Sequence, residues 1–218
     1  MTRFHLDIPT ESEICDAVAE LFERAMRNGG TGLLSALIPV DTTMHEGHQV
    51  LSYVFDYEMA ELCNFVKYFD GLIEREAHVS SRGRMQVLVY CHIFEADYPL
   101  TTIWNLHRLL EGREISWTFS RMTRKGETEV LKYPKDRVSE LERLSNNLGI
   151  VLGSMLASLW QNDLRNAFSH SQYFWTGDIL SCTGRLSPNI RKGIGVGSGG
   201  SKSFASSDLA ALYAGALC

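Results

Sequence analysis

Apolar side chains recur at three- and four-residue spacing over most of the chain, the period of a helix that buries one face. Ile14, Val18, Leu21, Phe22 and Ala25 form the first such stripe, with Thr10 or Ser12 placed to cap its start, Glu11 or Glu13 nearby, and Asn28-Gly29-Gly30 to stop it. Residues 31 to 48, with Pro39 and small polar residues, read as a loop. From Val50 to about Glu76 the positions Val54, Phe55, Met59, Leu62, Phe65, Val66, Phe69 and Ile73 predict a long amphipathic helix. A third helix fits Ser80 to Phe94, and a fourth begins at Pro99 and ends near Gly112. Residues 113 to 134 read as a connection with room for one short strand. Pro134 starts a fifth helix through Val138, Leu141, Leu144 and Leu148, which either breaks at Gly149 or runs on to about Ser169.

The pattern then changes. Aromatic and β-branched residues flank Gly177-Asp178 in the stretch from Gln172 to Cys182, the mark of a small hairpin. Residues 193 to 203 form a glycine- and serine-rich loop. Ser207 is placed to cap a last short helix, Asp208 to Ala216. The expected fold is all-α: a bundle of about five helices over residues 1–175, with a C-terminal hairpin, loop and short helix over 176–218 packed on the same domain. Parallel βαβ units are absent from the pattern.

Composition narrows the class. At 218 residues, 44% hydrophobic and 22% charged, the chain has enough apolar material for a core. A formal net charge of −5 means that any contact with nucleic acid must come from a local patch. Five cysteines, with no C-x-x-C pair, fit neither a disulfide framework nor a zinc site and suggest a reducing cytoplasm. The longest nearly apolar run, Leu148 to Trp160, is too short to span a bilayer, so no membrane partner is expected. No metal or cofactor is expected either.

One stretch stands out chemically: Arg165-Asn166-Ala167-Phe168-Ser169-His170. Read as one helix from Leu156 to Tyr173, it puts Leu156, Trp160, Leu164, Ala167 and Phe168 toward the core. A second, polar stripe then carries Asn162, Arg165, Asn166, Ser169, His170 and Tyr173. A histidine moves protons near neutral pH, an arginine holds a phosphate with two donors, and an asparagine orients either one. These parts suffice for metal-independent RNA cleavage, in which a 2′-hydroxyl attacks the adjacent phosphate. One histidine cannot easily be both base and acid, so two subunits facing each other would supply the pair. On an ideal helix, five residues turn Arg165 and His170 about 140° apart, which predicts that the helix ends or bends near Ser169. The plainer reading is a surface arginine and a histidine favoured by the dipole at a helix C-terminus.

The string from Leu164 to Ser171 resembles the R-x(4–6)-H signature of the HEPN family (higher eukaryotes and prokaryotes nucleotide-binding), in which a polar residue such as Asn166 typically follows the arginine. The resemblance implies a helical bundle, a homodimer with a composite cleft and, in active members, metal-independent endoribonuclease activity. Arg165 and His170 would be the catalytic pair and Asn166 a supporting residue. RNA would be the substrate, a neutralising protein a possible partner, and defence or a toxin–antitoxin pair the biological setting. The alternative is a non-catalytic dimer of the same fold that binds a nucleotide, RNA or a protein.

Weaker signals add candidates. Asn162, Ser169 and Tyr173 from the polar stripe, with Arg185, Arg191 and Lys192, are candidate substrate contacts; the last three and Lys202 leave the span between Asp178 and Asp208 basic with no acid. The basic residues of 121 to 137 read as a charged surface connection. The glycines of 193–200 follow no clear strand and open no helix, so a dinucleotide fingerprint is unsupported. His45 and His48 fall in a loop rather than at metal-ligand spacing on a helix. His92 and Glu95 read as a polar pair buried by the bundle, with Glu95 behind the polar stripe as the other option. Trp104, Trp117, Trp160 and Trp175 read as core or interface aromatics.

Overall fold

The computed structural model describes residues 7–30, 32–37, 41–45, 48–52, 54–182 and 202–217. Helices dominate: α1 (Glu11–Gly29), α2 (Gly32–Leu37), α3 (Val54–Arg75), α4 (Val79–Glu95), α5 (Asp97–Leu110), α6 (Pro134–Leu148), α7 (Leu152–Leu159), α8 (Asn162–Ser169) and α9 (Ser206–Leu217). The expectation of an all-α bundle of about five helices is corrected by seven short strands among the described residues. They form hairpins β1 (Asp41–His45) with β2 (His48–Ser52) and β3 (Ser120–Met122) with β4 (Thr128–Val130), and a three-stranded antiparallel sheet. That sheet is β5 (Tyr173–Thr176), β6 (Ile179–Cys182) and β7 (Lys202–Ala205) in sequence order.

Local chemistry explains the boundaries. Thr10 caps α1 through a reciprocal box with Glu13. Pro134 opens α6 at its first turn, where a missing N–H costs nothing. Gly149, at φ 64°, ends α6, because only glycine takes this left-handed position without steric cost. The long fifth helix is therefore broken at Gly149 and again at Trp160 and Gln161 into α6, α7 and α8. The predicted loop over 31–48 contains α2 and β1, with His45 of β1 in register with His48 of β2. The 113–134 connection carries two strands rather than one, tied by an Arg121–Glu129 ion pair. The predicted hairpin forms, with Gly177 at φ 62° in its two-residue turn. A carboxylate caps the last helix, Asp208 accepting from the Ala205 N–H, in place of Ser207.

One continuous core runs through α1, α4, α5, α6, α7 and α8 and takes in Leu180, Cys182, Phe204, Leu209 and Leu212 of the C-terminal segment. The expected boundary at residue 175 falls inside β5, so sheet and bundle share one core. Fully buried leucines such as Leu141, Leu144 and Leu152 each contribute roughly 1.5–3 kcal/mol by leaving water. Gly83 of α4 admits the Trp175 indole: a Cβ there would stand 2.3 Å from the ring. α3 packs at the side through a smaller cluster around Ile73, Val89 and Tyr213, and the Tyr213 hydroxyl donates to Asp70 at 2.7 Å. Among the described residues no helix is long and apolar enough to cross a membrane. Cys15 and Cys63 are exposed free thiols, and Cys91 and Cys182 buried ones.

Candidate functional site

The short helix α8 carries the polar residues singled out above, and its two ends are fixed by specific contacts. At the start, the buried Tyr90 hydroxyl of α4 donates to the Leu159 carbonyl at 2.8 Å and accepts the Gln161 N–H at 2.7 Å. One phenol thus joins the last turn of α7 to the residue preceding α8. Burial pushes its ionisation well above the ordinary tyrosine range, so it stays a neutral donor and acceptor. At the end, the Ser171 N–H bonds to the Phe168 carbonyl at 3.1 Å and the Gln172 N–H to the Ala167 carbonyl at 2.7 Å, the double closure of a Schellman motif. Ser171 holds the left-handed position at φ 53°, where glycine is usual, so the backbone is strained just after His170.

The helix ends at Ser169, as the angular argument requires, and His170 is its exposed capping residue. The His170 ring has no hydrogen-bond partner among the described residues. Leu164 and Ala167 face the core, and Trp160 and Phe168 pack partly buried against it. The single helix from Leu156 to Tyr173 is corrected: Tyr173 lies in β5, stacks on Phe168 at 5.6 Å between centroids and sits 6.0 Å from the Arg84 guanidinium. It fastens the end of α8 to α4 instead of extending the polar stripe.

Arg165 is oriented by two acceptors. Its Nε donates to Glu95 Oε1 at 2.7 Å and its Nη1 to Asn166 Oδ1 at 3.3 Å, while Nη2 has no partner among the described residues. Glu95 is the last residue of α4, so this ion pair ties α4 to α8 across 70 residues of sequence. His92 and Glu95 are exposed, which corrects the buried-pair reading. His92 packs on the Phe65 ring at 4.4 Å, and Glu95 stands beside the polar stripe. Below them, burial pushes the Cys91 thiol up to about 12, with the Glu95 charge adding and Arg165 offsetting, so it is no nucleophile.

Asn162, Arg165 and Asn166 line an open cleft of about 300 Å³ together with Trp160 and the first turn of α6, Tyr133 to Asp136. Ser169 and His170 lie beyond it, exposed at the end of α8. The sequence pointed to three of these lining residues but not to Tyr133 or Lys135, which come from a distant segment without a recognisable motif. Trp160 was read as a core or interface aromatic; its indole Nε1 is buried without a partner among the described residues.

Of the basic candidates, Arg185, Arg191 and Lys192 lie outside the described residues, as do the glycines of 193–200. Lys202 is in β7 and pairs with Asp163 of α8 at 2.7 Å, so its charge is partly neutralised. Arg137 is not part of a surface connection: it is buried in α6, donates to the Leu131 carbonyl at 2.9 Å and pairs with Asp97. Among the described residues no group of three or more His, Cys, Asp or Glu is placed to hold a metal ion. No family model matches the chain, and neither a curated protein nor a solved structure is significantly similar to it.

Proposed function

We propose that the chain is an endoribonuclease that cleaves RNA without a metal, at a site assembled from α8 of two copies. The observation that supports this reading is the end of α8: His170 stands exposed with an unpaired ring, on the same short helix whose Arg165 and Asn166 border an open cleft. In the reaction, one His170 takes the proton of a 2′-hydroxyl as its oxygen attacks the adjacent phosphorus. A second copy's histidine delivers a proton to the departing 5′-oxygen. Arg165 stabilises the charge that builds on the non-bridging oxygens. The products are a 2′,3′-cyclic phosphate and a 5′-hydroxyl.

The Glu95–Arg165 pair does not block this role. Its side chains are 30% and 39% exposed, and it uses only Nε, so a phosphate binds at Nη2 while Glu95 keeps the guanidinium in place. The test is cleavage of single-stranded RNA in EDTA. Wild type cuts, and His170→Ala loses cleavage while its thermal midpoint stays within about 2 °C, since the side chain is exposed and its ring makes no hydrogen bond or ion pair among the described residues. An inactive wild type, or a fully active His170→Ala, overturns the reading.

A second reading is favoured by the two bonds that already occupy Arg165. On it, Arg165 is a clamp between α4 and α8 in a non-catalytic dimer that binds RNA, a nucleotide or a protein. Arg165→Ala would then lower stability in a protein that never cuts RNA.

A further inference from the structure

The cleft beside α8 contains more than phosphate cleavage needs. Its volume of about 300 Å³ is at the lower end of ordinary small-ligand pockets, roughly 300–1,000 Å³. On one wall, Tyr133 is 70% exposed, and its hydroxyl has no partner among the described residues. Lys135, two residues on, is exposed and makes no ion pair among the described residues. On the other wall, Arg165 donates through Nε to Glu95 and through Nη1 to Asn166, which leaves Nη2 without a partner among the described residues. The Asn162 amide and the remaining N–H groups of Asn166 add hydrogen-bonding capacity.

Charge selects the ligand. Lys135 and Arg165 face a single lining acid, Asp136, and Glu95 already offsets part of Arg165. That balance suits the single negative charge of a phosphodiester better than the double charge of a free phosphate monoester. An exposed aromatic beside a cation is the usual means of holding an unpaired base and its backbone together.

We propose that this cleft is a subsite for one unpaired nucleotide of single-stranded RNA, with the base on Tyr133 and its phosphodiester between Lys135 and Nη2 of Arg165. The assignment rests on RNA being the substrate, and it adds α6 to the surface that holds it. The test separates binding from cutting by using a fluorescent 2′-O-methyl RNA oligomer, which offers no 2′-hydroxyl to attack, in EDTA. Wild-type full-length protein binds it. Tyr133→Ala weakens binding about tenfold and Tyr133→Trp restores it, the signature of stacking. Lys135→Gln weakens binding and lowers the slope of log K against log salt by about one, the loss of one phosphate contact. Both side chains are exposed, so thermal midpoints hold and folding does not confuse the result. Unchanged affinity in both variants, or equal affinity for a duplex, overturns the subsite. If natural RNA is not cut but the oligomer binds with this mutational pattern, the cleavage reading fails and the subsite stands. If RNA is cut while binding ignores Tyr133 and Lys135, the reverse holds.

Discussion

Removing one oxygen atom at position 90 should cost the protein more than most surface substitutions. Tyr90 is 1% exposed, and its hydroxyl satisfies both the Leu159 carbonyl and the Gln161 N–H at the joint between α7 and α8. Tyr90→Phe keeps the ring against Phe94, 5.1 Å away, and removes only those two bonds. Leu159 is fully buried, so its carbonyl is left without water or partner, at about 1–3 kcal/mol. Gln161 is half-buried, so water reaches its N–H more easily and its loss is smaller. The sum is about 2–3 kcal/mol, or roughly 5–10 °C in thermal midpoint for a chain of this length. Urea unfolding followed by circular dichroism measures it, with the slope unchanged because the surface exposed on unfolding is the same. A loss below about 0.5 kcal/mol would falsify the idea that this phenol fixes the start of α8.

Other perturbations test neighbouring parts of the account. Gly153→Ala places a Cβ 2.6 Å from the Leu141 carbonyl oxygen and from Ser145, so α7 must move off α6; a loss of about 2–3 kcal/mol in urea unfolding is expected, and a neutral result refutes the close crossing. His107 is buried, accepts from the Ser145 hydroxyl through Nε2 at 2.7 Å, and donates through Nδ1 to the Ile103 carbonyl at 2.8 Å; burial holds its pKa below the ordinary 6.5. Below pH 6.5 the unfolded chain therefore binds the proton that the folded one refuses, and stability falls as pH falls. Between pH 7.5 and 5.5 wild type should lose about 1 kcal/mol more than His107→Gln, and parallel pH curves would exclude this group as the cause. Glu95→Gln should cut RNA cleavage about tenfold, mainly in kcat, by loosening Arg165, while stability changes by less than about 1 kcal/mol; unchanged kcat removes Glu95 as a positioning residue.

The helices were legible where one face alternates against a core at helical spacing, as with Ile14, Leu21 and Ala25 of α1 or Val138, Leu141 and Leu144 of α6. The breaks in the last long helix were less so. Gly149 announced itself, but nothing local at Trp160 and Gln161 is a breaker; the phenol of Tyr90, 71 residues away from Gln161, bonds the joint. Of β3 and β4 only one short strand was expected, because strands of three residues carry too little alternation to detect. For the site, Arg165, Asn166 and His170 were visible as a motif. The offset of about 140° asked for an end or bend near Ser169 if Arg165 and His170 are to act together, and α8 ends there. Tyr173 was misplaced because the helical period was carried past that end into a strand. Glu95 beside the polar stripe was one of two options in the sequence, while Tyr133 and Lys135 reach α8 only through tertiary packing, which single-sequence periodicity does not report.

The central claim is that a 2′-hydroxyl is the attacking group, activated by His170. An RNA with one known cut position, remade with a single 2′-deoxy nucleotide on the 5′ side of that bond and incubated with wild type in EDTA, tests it directly. The account predicts that this one bond is spared while the unmodified RNA yields a 2′,3′-cyclic phosphate and a 5′-hydroxyl. Cleavage through the 2′-deoxy position, or a 3′-hydroxyl product from natural RNA, would contradict it.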